Sequence, residues 1–458
     1  MIKRLLTVLL VCLAPFQAGA NFNEAMKYYE QEKYAEAKVI FDRLAQLGQH
    51  DSQFNIGVMY YHGQGLEKNL VEAYAWFCLA AEHGDPKSLK IRDLTFKSLS
   101  IGQQTQALER CETLRESYGL NALNMSLLPE LSKINGPYCN IEVKDKTLPR
   151  YPKYALKRGL QGWIDIEFTI TKDGYTKDFV ILESVPQGVF DEATLKAAAG
   201  FKYIPPTLNN RPVDVFGNRN RINYRIEGGE LSEKVKKELQ QYLEEILAKA
   251  NAGDPGYQYL YAYLRGAHPD LGDISFSEAN DWYLKAAKGG YPPAQYRLAY
   301  SLLYGQGCEI DNKKAIEWLT LAAKADYPHA QLLLGRVLLR VDDDKDRLEK
   351  AVFWLDKAAG RDFAPAKIEL AWLLSTQSDA RYRDADRALA LIEPVYKDYP
   401  DQPTAFDTLA AVYANLGDFK AAVKFEKKAI KAAKKLEWNI EPMQRRLVMY
   451  EKQEPWRE

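Results

Sequence analysis

Two observations predict a multidomain protein in which all-α solenoid segments flank a small α+β domain of a three-stranded antiparallel sheet and two helices. Trp282, Trp318 and Trp354 recur every 36 residues through a helical stretch. Residues about 136–229 break that pattern with the period-two alternation of half-buried strands. The length of 458 residues agrees, because single hydrophobic cores stop growing near ~250–300 residues.

At the start, Lys3 and Arg4 precede the apolar run Leu5-Leu6-Thr7-Val8-Leu9-Leu10-Val11-Cys12-Leu13-Ala14, and Ala18-Gly19-Ala20 follows. A basic start, a short apolar core and an A-x-A ending predict a secretory signal peptide over residues 1–20, with the mature chain beginning at Asn21. The run is about half the ~20 residues a membrane-spanning helix needs. Val11 is too bulky for the position before a lipidated cysteine. Lys and Arg number 62, as do Asp and Glu, and removing Lys3 and Arg4 leaves a net charge of −2. No basic excess is available for nucleic-acid phosphates, and no second apolar stretch reaches spanning length. The mature chain is expected to be soluble, with no membrane span and no nucleic-acid partner.

Residues 21–133 and 251–400 read as helical hairpins, joined on the far side of the strand-rich segment by a helix over 230–250. In each unit an alanine stands three residues before the tryptophan (Ala279, Ala315, Ala351) and an alanine pair four residues after it (Ala286-Ala287, Ala322-Ala323, Ala358-Ala359). A further copy is Ala73-Tyr74-Ala75-Trp76-Phe77-Cys78-Leu79-Ala80-Ala81. Small residues three or four apart share a helix face and let neighbouring helices approach closely. The tryptophan is expected to fill the gap between hairpins. Gly63-Gln64-Gly65 and Gly305-Gln306-Gly307 lie where the chain must reverse at positive φ. One hairpin cannot bury its apolar face, so stacked copies share a core.

The phrase Asn55-Ile56-Gly57-Val58-Met59-Tyr60-Tyr61-His62-Gly63-Gln64-Gly65, followed by A-x-x-W-x-x-x-A-A-x-x-G, resembles the Sel-one-like repeat, a relative of the tetratricopeptide repeat. The resemblance covers residues about 51–85 and 253–375. In the third C-terminal copy Arg340-Val341-Asp342-Asp343-Asp344 replaces the Gly-x-Gly turn. Phe406, Leu409, Ala410, Tyr413, Ala422 and Ala429 resemble a tetratricopeptide repeat over 401–436, before a tail at 437–458. Tyr34, Ala37, Phe41 and Leu44 resemble half of another.

In the middle segment Trp163-Ile164-Asp165-Ile166-Glu167-Phe168-Thr169-Ile170 predicts a strand, Asp173-Gly174 a turn, and Thr176 to Ser184 the returning strand. A helix starts near Asp191, which is expected to cap it, with Phe190 packing on Leu195. The last strand runs to Ile226. Ile222, Tyr224 and Ile226 are expected to face the helices, and Arg221, Asn223 and Arg225 to face outward. Tyr151-Pro152, Gly162-Trp163-Ile164-Asp165-Ile166-Glu167-Phe168, Phe190-Asp191 and Phe201-Lys202-Tyr203-Ile204-Pro205 resemble, in order, the TonB C-terminal family. In that family the domain contacts outer-membrane transporters, whose short N-terminal segment adds a strand to its sheet, so the resemblance implies such a surface here. An energy transducer of the family resembles a membrane-anchored helix, a Pro-rich spacer and a terminal domain. This sequence departs from that plan, placing the domain mid-chain with no Pro-rich run.

No catalytic, metal-binding or cofactor-binding residue emerges. The five histidines (His50, His62, His83, His268, His329) are scattered and read as ordinary turn or surface residues. Asp342-Asp343-Asp344-Lys345-Asp346 lacks the glycine and glutamate of a calcium loop, having Arg347 and Phe353 there. Four cysteines of the mature chain (Cys78, Cys111, Cys139, Cys308) allow three full pairings, and the sequence does not choose among them. Cys78 stands at a position that is not consistently apolar in the repeats and is expected to be partly exposed. Cys111 shares a helix face with Ala107, Leu114 and Tyr118. A Cys78–Cys111 disulfide is the preferred expectation, against buried free thiols. Arg221, Asn223 and Arg225 are the candidate partner-binding residues; their alternative role is to keep an edge strand from aggregating.

Together these features lead us to expect a non-enzymatic scaffold in the periplasm of a Gram-negative bacterium. It would bind envelope proteins, among them an outer-membrane protein, or peptidoglycan. The alternative is an accessory or transducer in TonB-dependent transport.

Overall fold

The computed structural model describes residues 22–458 apart from 83, 121, 124–126, 128, 130–138, 209, 227–232, 268–273, 341–345 and 399–401. The expected signal peptide, His83, His268 and Asp342-Asp343-Asp344-Lys345 lie outside the described residues. The chain divides into two compact units. One holds the described residues before Cys139 together with those of Leu231–Ala325; the other joins Cys139–Glu230 to Asp326–Glu458.

In the first unit the helices Phe22–Glu30, Tyr34–Ala45, His50–His62, Leu70–Ala81 and Pro86–Ser98 pack in succession, and Ile101–Tyr118 returns onto Leu70–Ala81. So do Glu233–Asn251, Pro255–Ala267, Phe276–Lys288, Pro292–Tyr304 and Asn312–Lys324. Local chemistry sets their ends. Asn69 and Asp311 accept backbone N–H groups of the first turn, and Ser275 with Glu278 forms a reciprocal capping box. Gly63 and Gly305 close helices at φ 73° and 70°. Gly307, at φ 71°, also lies against backbone: a Cβ there would stand 2.5 Å from the carbonyl carbon of Phe276.

Buried glutamines recur in this unit. Gln53, Gln258 and Gln295 each donate through Nε2 at 3.1 Å to the carbonyl eight residues earlier, that of Ala45, Ala250 and Ala287. Each of these carbonyls lies at the end of the preceding helix and also accepts the backbone N–H three residues on (Gly48, Gly253, Gly290), so the glutamine supplies it with a second donor and ties the two helices of the hairpin together.

The tryptophan expectation needs correction. Trp318 is fully buried, and its Nε1 donates to the Leu127 carbonyl at 2.7 Å. Trp282 and Trp354 are only half-buried. The residue one step later is buried in all three copies (Tyr283, Leu319, Leu355), so that position is the constant core contact. Tryptophan sits at the margin of the helix face, and its burial depends on what covers it.

Cys78 is also not exposed as expected: Cys78 and Cys111 are both buried and joined in a disulfide with Cα atoms 6.1 Å apart. Cys139 and Cys308 are buried thiols, which burial pushes up to about 11 and about 12.

The second unit contains the sheet. Its strands in chain order are β1 (Val143–Asp145), β2 (Gly162–Ile170), β3 (Thr176–Val185), β4 (Lys202–Tyr203), β5 (Thr207–Leu208), β6 (Arg211–Pro212) and β7 (Val215–Tyr224). The main sheet is antiparallel in the order β3-β2-β7, with Ile164 of β2 opposite Ser184 and Ile222. β1 pairs with β4, and β5 with β6. Helices Lys153–Lys157 and Asp191–Ala198 complete the domain. Asp191 does not cap the second of these. Phe190 occupies the cap position without a side-chain bond, and Asp191 instead accepts the Ser184 hydroxyl. Phe190 stacks on Tyr224 with centroids 4.1 Å apart, and Tyr151 meets both rings edge-on.

The remaining helices of this unit are Pro328–Leu338, Arg347–Ala359, Ala364–Thr376, Ala385–Asp398, Pro403–Asn415, Phe419–Lys435 and Glu441–Glu451. Among them lies a buried carboxyl, Glu426, whose two oxygens have no hydrogen-bond partner. Arg446 gives its two bonds to Asp407, at 2.8 and 2.7 Å, leaving its Nε 3.6 Å from Glu426. Burial, reinforced by Asp407, pushes the Glu426 carboxyl up to about 10. The folded state then holds a proton that the unfolded chain releases above ~4.3, so this group lowers stability as pH rises from there towards 10. Glu426→Gln is expected to gain about 1–3 kcal/mol at pH 8 and little near pH 4, as read from urea midpoints at the two values. An equal effect at both would mean that Glu426 is ionised when folded.

Candidate functional site

Two surfaces of the central sheet are candidates: the face of β2 carrying Trp163, Asp165, Glu167 and Thr169, and the outer edge of β7, which with β3 is one of the sheet's two edge strands. All four of these β2 side chains are buried. The alternation in sequence therefore marks two covered faces, not one covered and one open.

At one end of this face Arg221 of β7 donates through Nε to Asp165 Oδ1 at 2.6 Å and lies 3.2 Å from Glu183 Oε2. Its guanidinium sits 5.4 Å from the centre of the Trp163 ring, and the Trp163 indole donates to Glu183 at 2.9 Å. The Arg221 side chain is 5% exposed. This corrects the expectation that Arg221 faces outward: it neutralises two carboxylates on the sheet. Asn223 and Arg225 are exposed.

Further along, Arg219 Nε donates to Glu167 Oε2 at 2.9 Å, and His329 Nδ1 lies 2.7 Å from Glu167 Oε1. Burial alone would push the Glu167 carboxyl up; the His329 ring and the Arg219 guanidinium hold it well below the usual carboxylate range. His329 is thus no surface residue. It is buried between Tyr327 and Phe363 at the start of helix Pro328–Leu338. One turn pair later Arg336 donates to Asp178 at 2.8 Å and to Glu369 at 2.8 Å, and Thr169 also bonds Asp178, at 3.0 Å. Against the cost of burial, Arg336 holds the Asp178 carboxyl below its ordinary value. Arg336 and Arg340 both lie over the Phe216 ring, and Arg340 bonds Asp214 at 3.0 Å. At another corner Tyr175 stacks on Trp438, 5.3 Å between centroids, and its hydroxyl accepts the Asn439 N–H at 2.8 Å.

The C-terminal helices therefore clamp the polar face of the sheet through buried, paired charges, a placement that specifies one docked geometry. A signal was present in the sequence at one position. Helix Pro328–Leu338 is apolar almost throughout, and Arg336 stands inside it. A charge in such a helix requires a buried partner. Nothing pointed to Asp178, which lies 158 residues earlier.

The second surface is the outer edge of β7. Its neighbour on one side is β2, and the described residues place no strand on the other. Among the described residues no helix is long and apolar enough to cross a membrane.

Comparison with known proteins agrees with this architecture. Residues 147–226 match the family model described as Gram-negative bacterial TonB protein C-terminal. Residues 50–85, 255–291, 292–327 and 328–362 match the Sel1 repeat. The chain thus carries Sel1 repeats on both sides of a TonB-type C-terminal domain. Over 57 residues, 12% of this chain and 17% of the relative, it is 42% identical to Protein TonB of Pseudomonas aeruginosa. Over 71 residues, 15% of this chain and 24% of the relative, it is 34% identical to HcpC of Helicobacter pylori, which has beta-lactamase in its name. The chain thus spans a quarter or less of the length of the curated relatives it matches. Among solved structures it is similar to a Sel1 repeat protein from Oxalobacter formigenes, at 24% identity and a TM-score of 0.38, covering 48% of this chain and 87% of that one. The Sel1-repeat and TonB C-terminal families are non-enzymatic scaffolds. Sel1 repeats imply protein–protein interaction, and the TonB-type domain suggests a Gram-negative envelope protein.

Proposed function

We propose that this protein is a periplasmic interaction scaffold whose TonB-type domain takes up an extended partner segment along β7. The observation that carries this reading is the edge position of β7 in a sheet whose polar face is already clamped. A rigid edge strand binds a partner by β-augmentation, through ladder hydrogen bonds with pockets for alternate side chains. Residues 218–226 form the docking strand, with Asn223 and Arg225 exposed beside it. Arg221 supports the strand from the opposite side of its ion pairs and does not read the partner. The Cys78–Cys111 disulfide supports an oxidising compartment, and the signal-like residues 1–20 support export. The helical repeats supply surfaces for further envelope proteins.

Asn223→Pro removes a backbone donor and distorts the edge. Loss of the ladder bonds it disturbs is expected to lower retention of envelope proteins on the immobilised chain by roughly tenfold or more. Arg225→Ala is expected to weaken retention at low salt only, because an exposed charge is screened at high ionic strength. Circular dichroism must match the parent in both. Full retention by folded Asn223→Pro would exclude the β7 edge.

The match to Protein TonB favours one second reading, a role in TonB-dependent transport. Uptake through outer-membrane transporters would then fall when the gene is removed; unchanged uptake leaves the scaffold reading alone.

A further inference from the structure

Residues 454–458 leave helix Glu441–Glu451 and run back along the helices of the last repeats, and their bonding is that of a bound peptide. The Glu458 N–H donates to the Thr376 carbonyl at 2.8 Å, and its own carbonyl accepts the Ser378 N–H at 2.8 Å. This is a two-bond, ladder-like pairing with the last residue of helix Ala364–Thr376 and the backbone just after it. The Arg457 guanidinium reaches the Ser375 carbonyl at 2.9 Å and Asn415 Oδ1 at 3.0 Å. It thereby caps the C-terminal end of helix Ala364–Thr376, where carbonyls are unsatisfied and the helix dipole favours a cation, and holds the last side chain of the neighbouring helix Pro403–Asn415. Trp456 packs against the small residues Ala410, Ala414 and Ala422, and it and Trp372 flank the Arg446 guanidinium at 5.9 and 5.1 Å. The Trp372 indole donates to the Glu458 carboxylate at 3.0 Å.

Every one of these contacts comes from an extended backbone or from a side chain that a separate peptide can supply. Pro455, Trp456 and Arg457 are half-buried and Glu458 is exposed, in contrast to the fully buried Tyr450 of the preceding helix. We infer that residues 454–458 are a self-supplied ligand, closing a peptide groove between helices Ala364–Thr376 and Pro403–Asn415. The groove's partner is an extended peptide with a tryptophan–arginine pair followed by an acidic residue, which displaces the segment. This site is separate from the β7 edge and does not depend on it.

A tethered segment acts at an effective concentration of about 1 mM. Against a free peptide with a Kd of about 100 μM it weakens binding roughly tenfold. The test uses a fluorescent peptide with the sequence of residues 452–458 and the full chain carrying Trp456→Ala with Arg457→Ala. The doubly substituted chain is expected to bind the peptide at least about tenfold tighter than the parent chain does. A peptide with alanine at both positions is expected not to bind, and Asn415→Ala in the released chain is expected to weaken binding. Removal of residues 454–458 provides the same comparison should the double substitution disturb folding. Equal affinity of parent and released chains, or no saturable binding to a released chain that keeps the parent's circular dichroism, overturns the inference.

Discussion

Arg336→Ala is expected to lower the stability of its unit by about 3–5 kcal/mol, because removing one partner of a buried ion pair strands the other. The Arg336 and Asp178 side chains are each 5% exposed, and Glu369 shares the same guanidinium. The stem and guanidinium also cover Phe216, so packing is lost together with charge. Arg336→Met keeps the stem and separates the two contributions: what methionine fails to recover belongs to the carboxylates. The pH dependence has a defined sign. Asp178 is held below its ordinary value in the folded protein, so its ion-pair stabilisation is full above the unfolded value of ~3.9 and is lost as pH falls through the lower folded value. The gap between parent and Arg336→Ala should therefore be widest at neutral pH and narrow below about pH 4. Chemical denaturation at pH 7 and at a pH well below 4 measures both. A loss below about 1 kcal/mol at pH 7 would mean that the clamp between sheet and helices is not formed in solution.

Trp318→Ala is expected to be comparably damaging in the other unit, at about 3–5 kcal/mol, the usual range for removing a fully buried large aromatic. Trp318 is 0% exposed, and its indole N–H is the partner of the Leu127 carbonyl. Trp318→Phe keeps most of the apolar contact and orphans only that carbonyl, a loss of about 1–3 kcal/mol. The equivalent changes at Trp282 and Trp354 should be milder, since both are half-buried. Hydrogen exchange would place the damage: amides of Asn312–Lys324 should lose protection first. Equal losses at all three tryptophans would mean that the repeats bury them alike, contrary to the structure.

The helices, their ends and the strand hairpin were legible because they depend on neighbours in sequence. Asn69, Asp311 and the Ser275–Glu278 pair cap within three residues, and Gly63 and Gly305 reverse the chain locally. The antiparallel order of β2 and β3 follows from the Asp173-Gly174 turn and the alternation either side of it. Phe190 shows where such reasoning stops. Local rules offered the ring only Leu195, whereas it stacks on Tyr224, distant in sequence, at 4.1 Å.

By itself, then, the sequence determined the repeat architecture and the position and topology class of the central domain. Those properties follow from periodicity, turn chemistry and small-residue spacing, all of which act over a few residues. Only the tertiary structure decided which polar residues are interior. Asp165, Glu167 and Asp178 read as solvent-facing until Arg221, Arg219, His329 and Arg336 arrive from 56, 52, 162 and 158 residues away. A charge carries no mark of its partner in the chain. Whether it faces water or a buried counter-charge depends on which surfaces meet, and that is settled by packing across the whole unit.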